Sequence, residues 1–238
     1  MQSIYFVDSN FTYESSKKSI LSIRYATDGF SFCVHDETEK LVVFVHEPYA
    51  ADSREAAVAR LKNYVVNDAI LNLRFKKVYI MPCFKEKLLV PGAFFDKANI
   101  ATLYTVNQEV APDDTILYHH IEGIEAYLVE TVISSFHDFV REHFPVVQIV
   151  NGAYPFILGA MAKALRDTEQ IFLDIQDNYF DLLFIRDSGI QLFNTFSYKA
   201  ITDIVYFLLN CIKECGINQE KAHLSICGPA LKDNKLKE

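Results

Sequence analysis

The sequence predicts a mixed α/β fold in which one arrangement, β-β-β-α-β, occurs twice. Three observations support this prediction. Two groups of three short β-prone runs are separated by tight polar turns, each group is followed by apolar residues at helical spacing, and each helical pattern is followed by one short apolar run. We therefore expect two related lobes, each built on a mixed five-stranded sheet that is flanked by helices.

The first copy begins with the runs ILSIRY, FSFCVHD and LVVFVHE. The pair Asp28-Gly29 lies between the first two runs and is typical of a hairpin turn, which predicts an antiparallel meander. Asp52 starts a capping-box pattern, and apolar residues then recur at helical spacing to about Leu71. The run KKVYIMP, from Lys76 to Pro82, follows and predicts a short buried strand that ends at its proline.

The second copy repeats this order. Its three runs are Gln170–Ile175, Tyr179–Arg186 and Gly189–Phe196. Ser197 is the predicted N-cap of the following helix, and Gly216 is the predicted residue just beyond its end. The run HLSIC then corresponds to the strand KKVYIMP of the first copy.

The segment between the copies predicts two further parts. Residues 84–130 contain several alternating, strand-like stretches and a helical one, so we interpret them as a β-rich insertion. A helix over about Thr131–His143, a strand over Val146–Val150 and a helix over about Tyr154–Arg166 would complete the first copy. The predicted domains are therefore 1–168, a first lobe with its insertion, and 169–238, a second lobe that is incomplete.

Composition narrows the function classes. The chain has 238 residues and a formal net charge of −8, which disfavours binding to nucleic-acid phosphates. Its five cysteines are an odd number and form no CxxC pair, which is typical of a reducing compartment. The start MQSIYFVDSNF lacks the features of a secretion signal, and charges interrupt every long apolar stretch. We expect a cytoplasmic protein with no direct membrane insertion.

The repeated meander followed by alternating helix and strand resembles the actin-like ATPase superfamily with its ribonuclease-H-like lobes. Within it, LSIRYATDGFSFCV and the early β-rich insertion are most similar to the PilM and GspL proteins of pilus and type II secretion systems. The whole chain resembles the bacterial family called domain of unknown function 3822, which carries no established activity. The likeness to PilM and GspL implies an adaptor role, because the analogous lobe in those proteins docks onto other assembly components.

The resemblance to actin-like ATPases also provides a test for ATP chemistry, because those enzymes place an Asp-x-Gly turn after the first strand of each lobe. The carboxylate holds water on Mg²⁺, and the glycine lets backbone N–H groups approach the phosphates. Here the first copy reads Arg24-Tyr25-Ala26-Thr27, and the second reads Asp174-Ile175-Gln176-Asp177. Both loops have lost required residues, so we expect no catalytic residue, no metal site and no bound cofactor.

A degenerate nucleotide cleft between the lobes is the alternative, with ATP and Mg²⁺ as its ligands. Its candidate residues are Arg24, Thr27, Asp174, Asp177 and Gly228. The plainer interpretation of Arg24 is an ion pair with an acid such as Asp28 or Asp174. For the carboxylates Asp174, Asp177 and Asp181, it is a set of turn formers and solvated edge residues.

The insertion is the predicted protein-binding surface, because it buries little by itself and is rich in aromatic residues. Its candidate contact residues are Phe94, Phe95 and Tyr104. The function that we expect is a catalytically inactive cytoplasmic scaffold or adaptor that binds another protein or a second copy of itself. The alternative is a nucleotide-binding protein or weak ATPase.

Overall fold

A computed structural model describes residues 2–229 of the chain. The first elements are β1 (Ile4–Val7), α1 (Tyr13–Ser16), β2 (Ile20–Ala26), β3 (Gly29–His35), β4 (Leu41–Pro48), α2 (Arg54–Asn67) and β5 (Lys77–Pro82). The middle elements are β6 (Lys87–Pro91), α3 (Ile100–Asn107), β7 (Asp114–His120), β8 (Ala126–Ile133), α4 (Ser134–His143), β9 (Val147–Ile149) and α5 (Ala153–Lys163). The last are β10 (Glu169–Ile175), β11 (Tyr179–Arg186), β12 (Gly189–Ser197), α6 (Ile201–Glu214) and β13 (His223–Cys227).

The chain forms two compact units. The first contains the described residues of Met1–Phe84, Ala101–His119 and Glu130–Gly152. The second contains those of Lys85–Ile100, His120–Val129 and Ala153–Glu238. The division therefore does not follow a single boundary at 168/169, since α5 and parts of the predicted insertion belong to the second unit.

Each unit has a mixed sheet as predicted, but within the described residues the sheets have six and four strands instead of five each. The strand order is β1-β4-β3-β2-β5-β9 in the first unit and β12-β11-β10-β13 in the second. In both, the first strand of the meander pairs antiparallel with its hairpin partner and parallel with the strand that follows the helix. The repeated order β4-β3-β2-β5 and β12-β11-β10-β13 matches the duplicated pattern of the sequence. A third sheet has the strand order β6-β8-β7.

Helix packing on these sheets builds separate cores. In the first unit, apolar side chains of α2 and α4 cover the inner strands β2 to β5, with Leu61 and Phe136 fully buried. In the second unit, α6 packs on β10 and β11 through Ile204 and Ile212, and α5 packs on the opposite face of the same strands. Strand β11 is covered on both faces, which explains why its sequence is an almost continuous apolar run.

The first helix of the repeat starts and ends slightly differently from the prediction. Ser53, not Asp52, is the N-cap of α2. The helix ends at Asn67 instead of about Leu71, because Asp68 has an extended backbone. Among residues 2–229, no helix combines the length and the apolar character that are needed to cross a bilayer.

Two other predicted helix starts are wrong for the same reason. In each case, the preceding strand continues past the predicted start of the helix. β8 extends to Ile133, so the next helix begins at Ser134 and not at Thr131. β12 extends through Ser197, so α6 begins at Ile201 and Ser197 is not its N-cap. Pairing within a sheet has overridden the local helix signals at both places.

Candidate functional site

In the first unit, the predicted residue Arg24 lies near the end of β2, and Thr27 lies in the turn between β2 and β3. The Arg24 guanidinium lies 3.3 Å from Asp28 Oδ1, and both side chains keep partial exposure to solvent. The Thr27 carbonyl accepts a hydrogen bond of 2.8 Å from the backbone N–H of Ala51, and the Asp28 carbonyl accepts one of 3.2 Å from Tyr49. The interpretation of Arg24 as an ion-pair partner of Asp28 is therefore confirmed.

Close backbone packing fixes this turn. Gly29 has φ +148°, and a Cβ at this position would lie 2.7 Å from the Glu47 carbonyl oxygen. Only glycine can adopt this φ and allow this close approach without strain. Burial, together with the nearby charge of Asp28, raises the pKa of Tyr49 to about 12. The turn is thus a packed hairpin in which the arginine and the aspartate interact with each other.

In the second unit, Asp174 and Gly228 come together at the carboxyl ends of two parallel strands, β10 and β13. Gly228 has φ +113°, and a Cβ there would collide with the backbone of Ile175 and would lie 2.8 Å from Asp174 Oδ1. The Cys227 thiol donates to the same oxygen at 3.8 Å. Burial, with a further contribution from Asp174, raises the pKa of Cys227 to about 12, so the thiol stays protonated at neutral pH. Asp177 is exposed in the turn between β10 and β11.

Next to Asp174 lies a buried charge network that the sequence did not predict. Lys87 Nζ is 2.8 Å from Asp181 Oδ1, and their side chains are 0% and 3% exposed. The Thr195 hydroxyl donates to the same oxygen at 2.6 Å, and the lysine ammonium lies 4.6 Å from the centre of the Tyr179 ring. The expectation that Asp181 is solvated is therefore wrong, because a strand of the insertion covers it with a lysine.

The strand register shows how this network reaches Asp174. Asp181 is directly opposite Asp174 in β10, and Thr195 is directly opposite Asp181 in β12. Residues in register share one face of a sheet, so Thr195, Asp181, Asp174 and Cys227 form one polar row across four strands. This row is a poor site for a cation, since Asp181 already interacts with the ammonium group of Lys87. Within the described residues, no group of three or more His, Cys, Asp or Glu side chains could hold a metal ion.

A second buried polar group, also absent from the sequence prediction, lies in the first unit. Glu130 is 1% exposed and accepts a hydrogen bond of 3.1 Å from the Asn151 side chain. His119 Nε2 is 3.9 Å from Glu130 Oε1. Burial lowers the pKa of His119 below its ordinary value of 6.5, which favours the neutral imidazole at pH 7. Burial, followed by the charge of Glu130, raises the pKa of the Tyr25 hydroxyl well above 10.

The three aromatic residues predicted to bind a protein have different environments. Phe94 is 74% exposed. The Phe95 ring stacks on the Tyr127 ring with 3.6 Å between centroids, so it supports the local structure of the second unit. Tyr104 is completely buried, and its assignment to a contact surface is therefore wrong. Sequence alone could not separate these residues, because all three lie in short stretches of mixed character.

Comparison with solved structures identifies the fold. A Bacteroides thetaiotaomicron protein, described as having an actin-like ATPase fold and unknown function, superimposes with a TM-score of 0.86 at 23% identity and covers 95% of this chain and 89% of its own. PilM from a PilM-PilN type IV pilus biogenesis complex gives a TM-score of 0.46 at 12% identity, with 84% and 66% covered. An exopolyphosphatase from Cytophaga hutchinsonii gives 0.43 at 12% identity, with 90% and 68% covered.

The first likeness shows the actin-like ATPase fold alone, and the other two are too distant to support an argument. The comparison with curated proteins found no match. A family model described as "Protein of unknown function (DUF3822)" matches residues 8–238, nearly the whole chain. The expected fold and family are confirmed: the chain has an actin-like ATPase fold, and it belongs to the DUF3822 family of proteins of unknown function.

Proposed function

We propose that this chain is a catalytically inactive cytoplasmic scaffold or adaptor that binds another protein. The observation that carries the proposal is the internal pairing of charges at the turn region of each unit. Arg24 is paired with Asp28 in the first unit, and Asp181 is paired with Lys87 in the second. Arg24, a candidate for phosphate binding, and Asp181, which lies opposite the candidate Asp174, are thus engaged within the fold.

The physical reason is that phosphoryl transfer depends on positioning and on charge stabilisation. Magnesium held by carboxylates, together with free cationic groups, neutralises the negative charge that develops on the phosphates. An aspartate with a buried lysine ammonium at 2.8 Å is a poor site for a further cation, because the two cations would repel each other. An arginine that is held by a neighbouring aspartate has a weaker attraction for phosphate.

Phe94 supports the binding part of the proposal. It is the most exposed phenylalanine among the large apolar side chains of the described residues, and it belongs to a short 3₁₀ turn that follows β6. Aromatic side chains are enriched at the centres of protein interfaces, where their burial contributes much of the binding energy. We therefore place the contact with the partner at Phe94 in the insertion.

The test is co-purification of a partner with a Phe94→Asp variant. Val106→Asp is the matched control, because Val106 is also an exposed apolar residue of the insertion, at 77% exposure. We expect that the wild-type chain and Val106→Asp recover the same partner and that Phe94→Asp loses it while keeping its circular dichroism spectrum. Recovery of that partner by Phe94→Asp would exclude this surface, and a partner identical to the chain itself would identify a homodimer.

A nucleotide-binding function is the second candidate. Asp174 and Gly228 support it, because they lie at the carboxyl ends of adjacent parallel strands, where ligands of open α/β sheets commonly bind. Mg-ATP should then stabilise the folded chain, and Asp174→Asn should reduce that effect.

The cytoplasmic location is part of the proposal and rests on the cysteines. All five, Cys33, Cys83, Cys211, Cys215 and Cys227, are free thiols in the structure. Free thiols are typical of a reducing compartment. The net charge of −8 supports a partner other than nucleic acid.

A further inference from the structure

A surface cavity of about 630 Å³ lies in the second unit and belongs to none of the sites described above. It opens where β12 ends and α6 begins, beside the turn between β10 and β11. Its lining residues are Lys85, Asn178, Ser197, Tyr198, Lys199, Asp203, Tyr206 and Phe207. Its volume is typical of small-molecule sites, which range from about 300 to 1,000 Å³.

Several polar side chains that line this cavity carry hydrogen-bond donors. Neither Lys85 nor Lys199 forms an ion pair with another residue in the range 2–229. The side chains of Asn178 and Ser197 likewise form no hydrogen bond to another described residue. Four side chains with donor groups thus line one cavity, and two of them carry a positive charge.

Asp203 is the single acidic residue among the described residues that line the cavity, and its carboxylate interacts with the backbone at the start of α6. One of its carboxylate oxygens accepts hydrogen bonds from the backbone N–H groups of Lys199 at 2.8 Å and Ala200 at 3.0 Å. These two hydrogen bonds, with a smaller contribution from the charge of Lys199, lower the pKa of Asp203, so it is ionised at neutral pH. The lining therefore has two ammonium groups against one carboxylate, on a chain whose net charge is strongly negative.

Aromatic rings form the apolar part of the cavity. The Phe207 ring is fixed by stacking on Phe196, with 4.6 Å between centroids. The Tyr206 ring contacts Phe207 edge to face at 5.4 Å and is 64% exposed. The Tyr198 hydroxyl donates to the Gln176 carbonyl, which fixes its orientation. A flat apolar group could pack against these rings and displace water from them.

We propose that this cavity binds a small molecule that carries a phosphate or carboxylate group on a flat apolar ring. Lys85 and Lys199 bind the anionic group, with Ser197 and Asn178 as hydrogen-bond donors. Tyr206 and Phe207 pack against the ring. The site goes beyond the adaptor function proposed above and does not depend on it, because Phe94 is not part of the lining.

The test is calorimetric titration of the full chain with phenyl phosphate, with inorganic phosphate and benzyl alcohol as reference probes. We expect phenyl phosphate to bind at millimolar or lower concentration and to bind more tightly than either reference, since only phenyl phosphate uses both parts of the cavity. Lys85→Met and Lys199→Met should each weaken its binding about threefold to fivefold. Tyr206→Ala should weaken the binding of phenyl phosphate but not that of inorganic phosphate.

Two control variants make the result specific. Lys221→Met removes another exposed lysine of the same unit and should leave the affinity unchanged. Asp174→Asn should also leave it unchanged, which distinguishes this cavity from the nucleotide-binding candidate residues. Absence of phenyl phosphate binding would overturn the proposal, and so would equal affinities of wild type, Lys85→Met and Lys199→Met.

Discussion

Each unit has an ion pair near its first hairpin, and the two ion pairs differ in sequence separation and in burial. In the first unit, Arg24 and Asp28 are four residues apart on one hairpin, and their side chains are 22% and 13% exposed. In the second unit, Asp181 interacts with Lys87, which comes from a strand of the insertion far away in sequence, and both are almost completely buried. The first pair is local and partly hydrated, and the second is long-range and dry.

The difference between the pairs has energetic consequences. Removal of one partner of a partly hydrated ion pair lowers the free energy of unfolding only a little, because water can solvate the remaining charge. Removal of one partner of a buried pair lowers the free energy of unfolding much more, since it leaves a charge without compensation in a medium of low polarity. Lys87 therefore attaches β6 to the second unit and compensates the charge of Asp181 at the same time.

The largest effect is expected for Lys87→Met. This change leaves Asp181 buried without its cation, and we expect a loss of about 3–5 kcal/mol in the free energy of unfolding. Urea unfolding followed by circular dichroism measures it. The double variant Lys87→Met/Asp181→Asn removes the uncompensated charge and should regain part of the loss. An unchanged unfolding midpoint for Lys87→Met would contradict the importance of the buried pair.

Gly228→Ala should have the next largest effect. The new methyl group would meet the backbone of Ile175 while φ stays near +113°, and such strain costs about 1–3 kcal/mol. Gly159→Ala is the matched control in α5 of the same unit, where a Cβ has no atom within 4 Å. The control should be neutral or stabilising by up to about 1 kcal/mol, because alanine favours a helix. Equal thermal stabilities of the two variants would exclude a close approach at Gly228.

Arg24→Met tests the local pair of the first unit. We expect a loss of at most about 1 kcal/mol, since the Arg24–Asp28 pair is partly hydrated. Lys18→Met, which removes a more exposed pair with Glu37, is the control and should have no measurable effect. If the unfolding free energy of Arg24→Met fell as far as that of Lys87→Met, the contrast between the two turn regions would not hold.

The smallest effect is a pH dependence from Glu169 at the start of β10. A backbone hydrogen bond from Asn218, followed by a hydrogen bond from Arg186, lowers the pKa of Glu169 below its ordinary value of 4.5. Because the unfolded chain binds this proton first, the stabilisation is complete above the unfolded pKa and is lost as pH falls through the folded pKa. Unfolding free energies measured from neutral to acidic pH should therefore fall less steeply for Glu169→Gln. Parallel curves for the two proteins would refute this assignment.

The repeated order of strands and helices was predictable because it depends on local patterns. Tyr179–Arg186 and His223–Cys227 have the predicted bounds, and the hairpin at Asp28-Gly29 is present. The edge strand Ile4–Val7 was not predicted, since its four residues carry no alternating pattern and its position depends on pairing with β4. Local sequence thus determines the meanders, whereas added edge strands depend on tertiary contacts.

The candidate sites were less predictable for the same reason. The Arg24–Asp28 pair was one of two alternatives, and four-residue spacing made it accessible to sequence analysis. The pair of Lys87 and Asp181 joins residues from separate segments, so their sequence spacing does not indicate it. One signal was present: Lys87 begins a strand of otherwise apolar residues, which is an unusual place for an unpaired charge.

The most direct test of the central proposal, that the chain's own charges leave no effective site for Mg-ATP, is a thermal shift measurement on the intact chain. A ligand that binds the folded state raises its melting temperature, so the assay reports binding without requiring turnover. We expect no change in the melting temperature at millimolar Mg-ATP relative to magnesium alone. A clear rise that Asp174→Asn abolishes would contradict the proposal and would establish the chain as a nucleotide-binding protein.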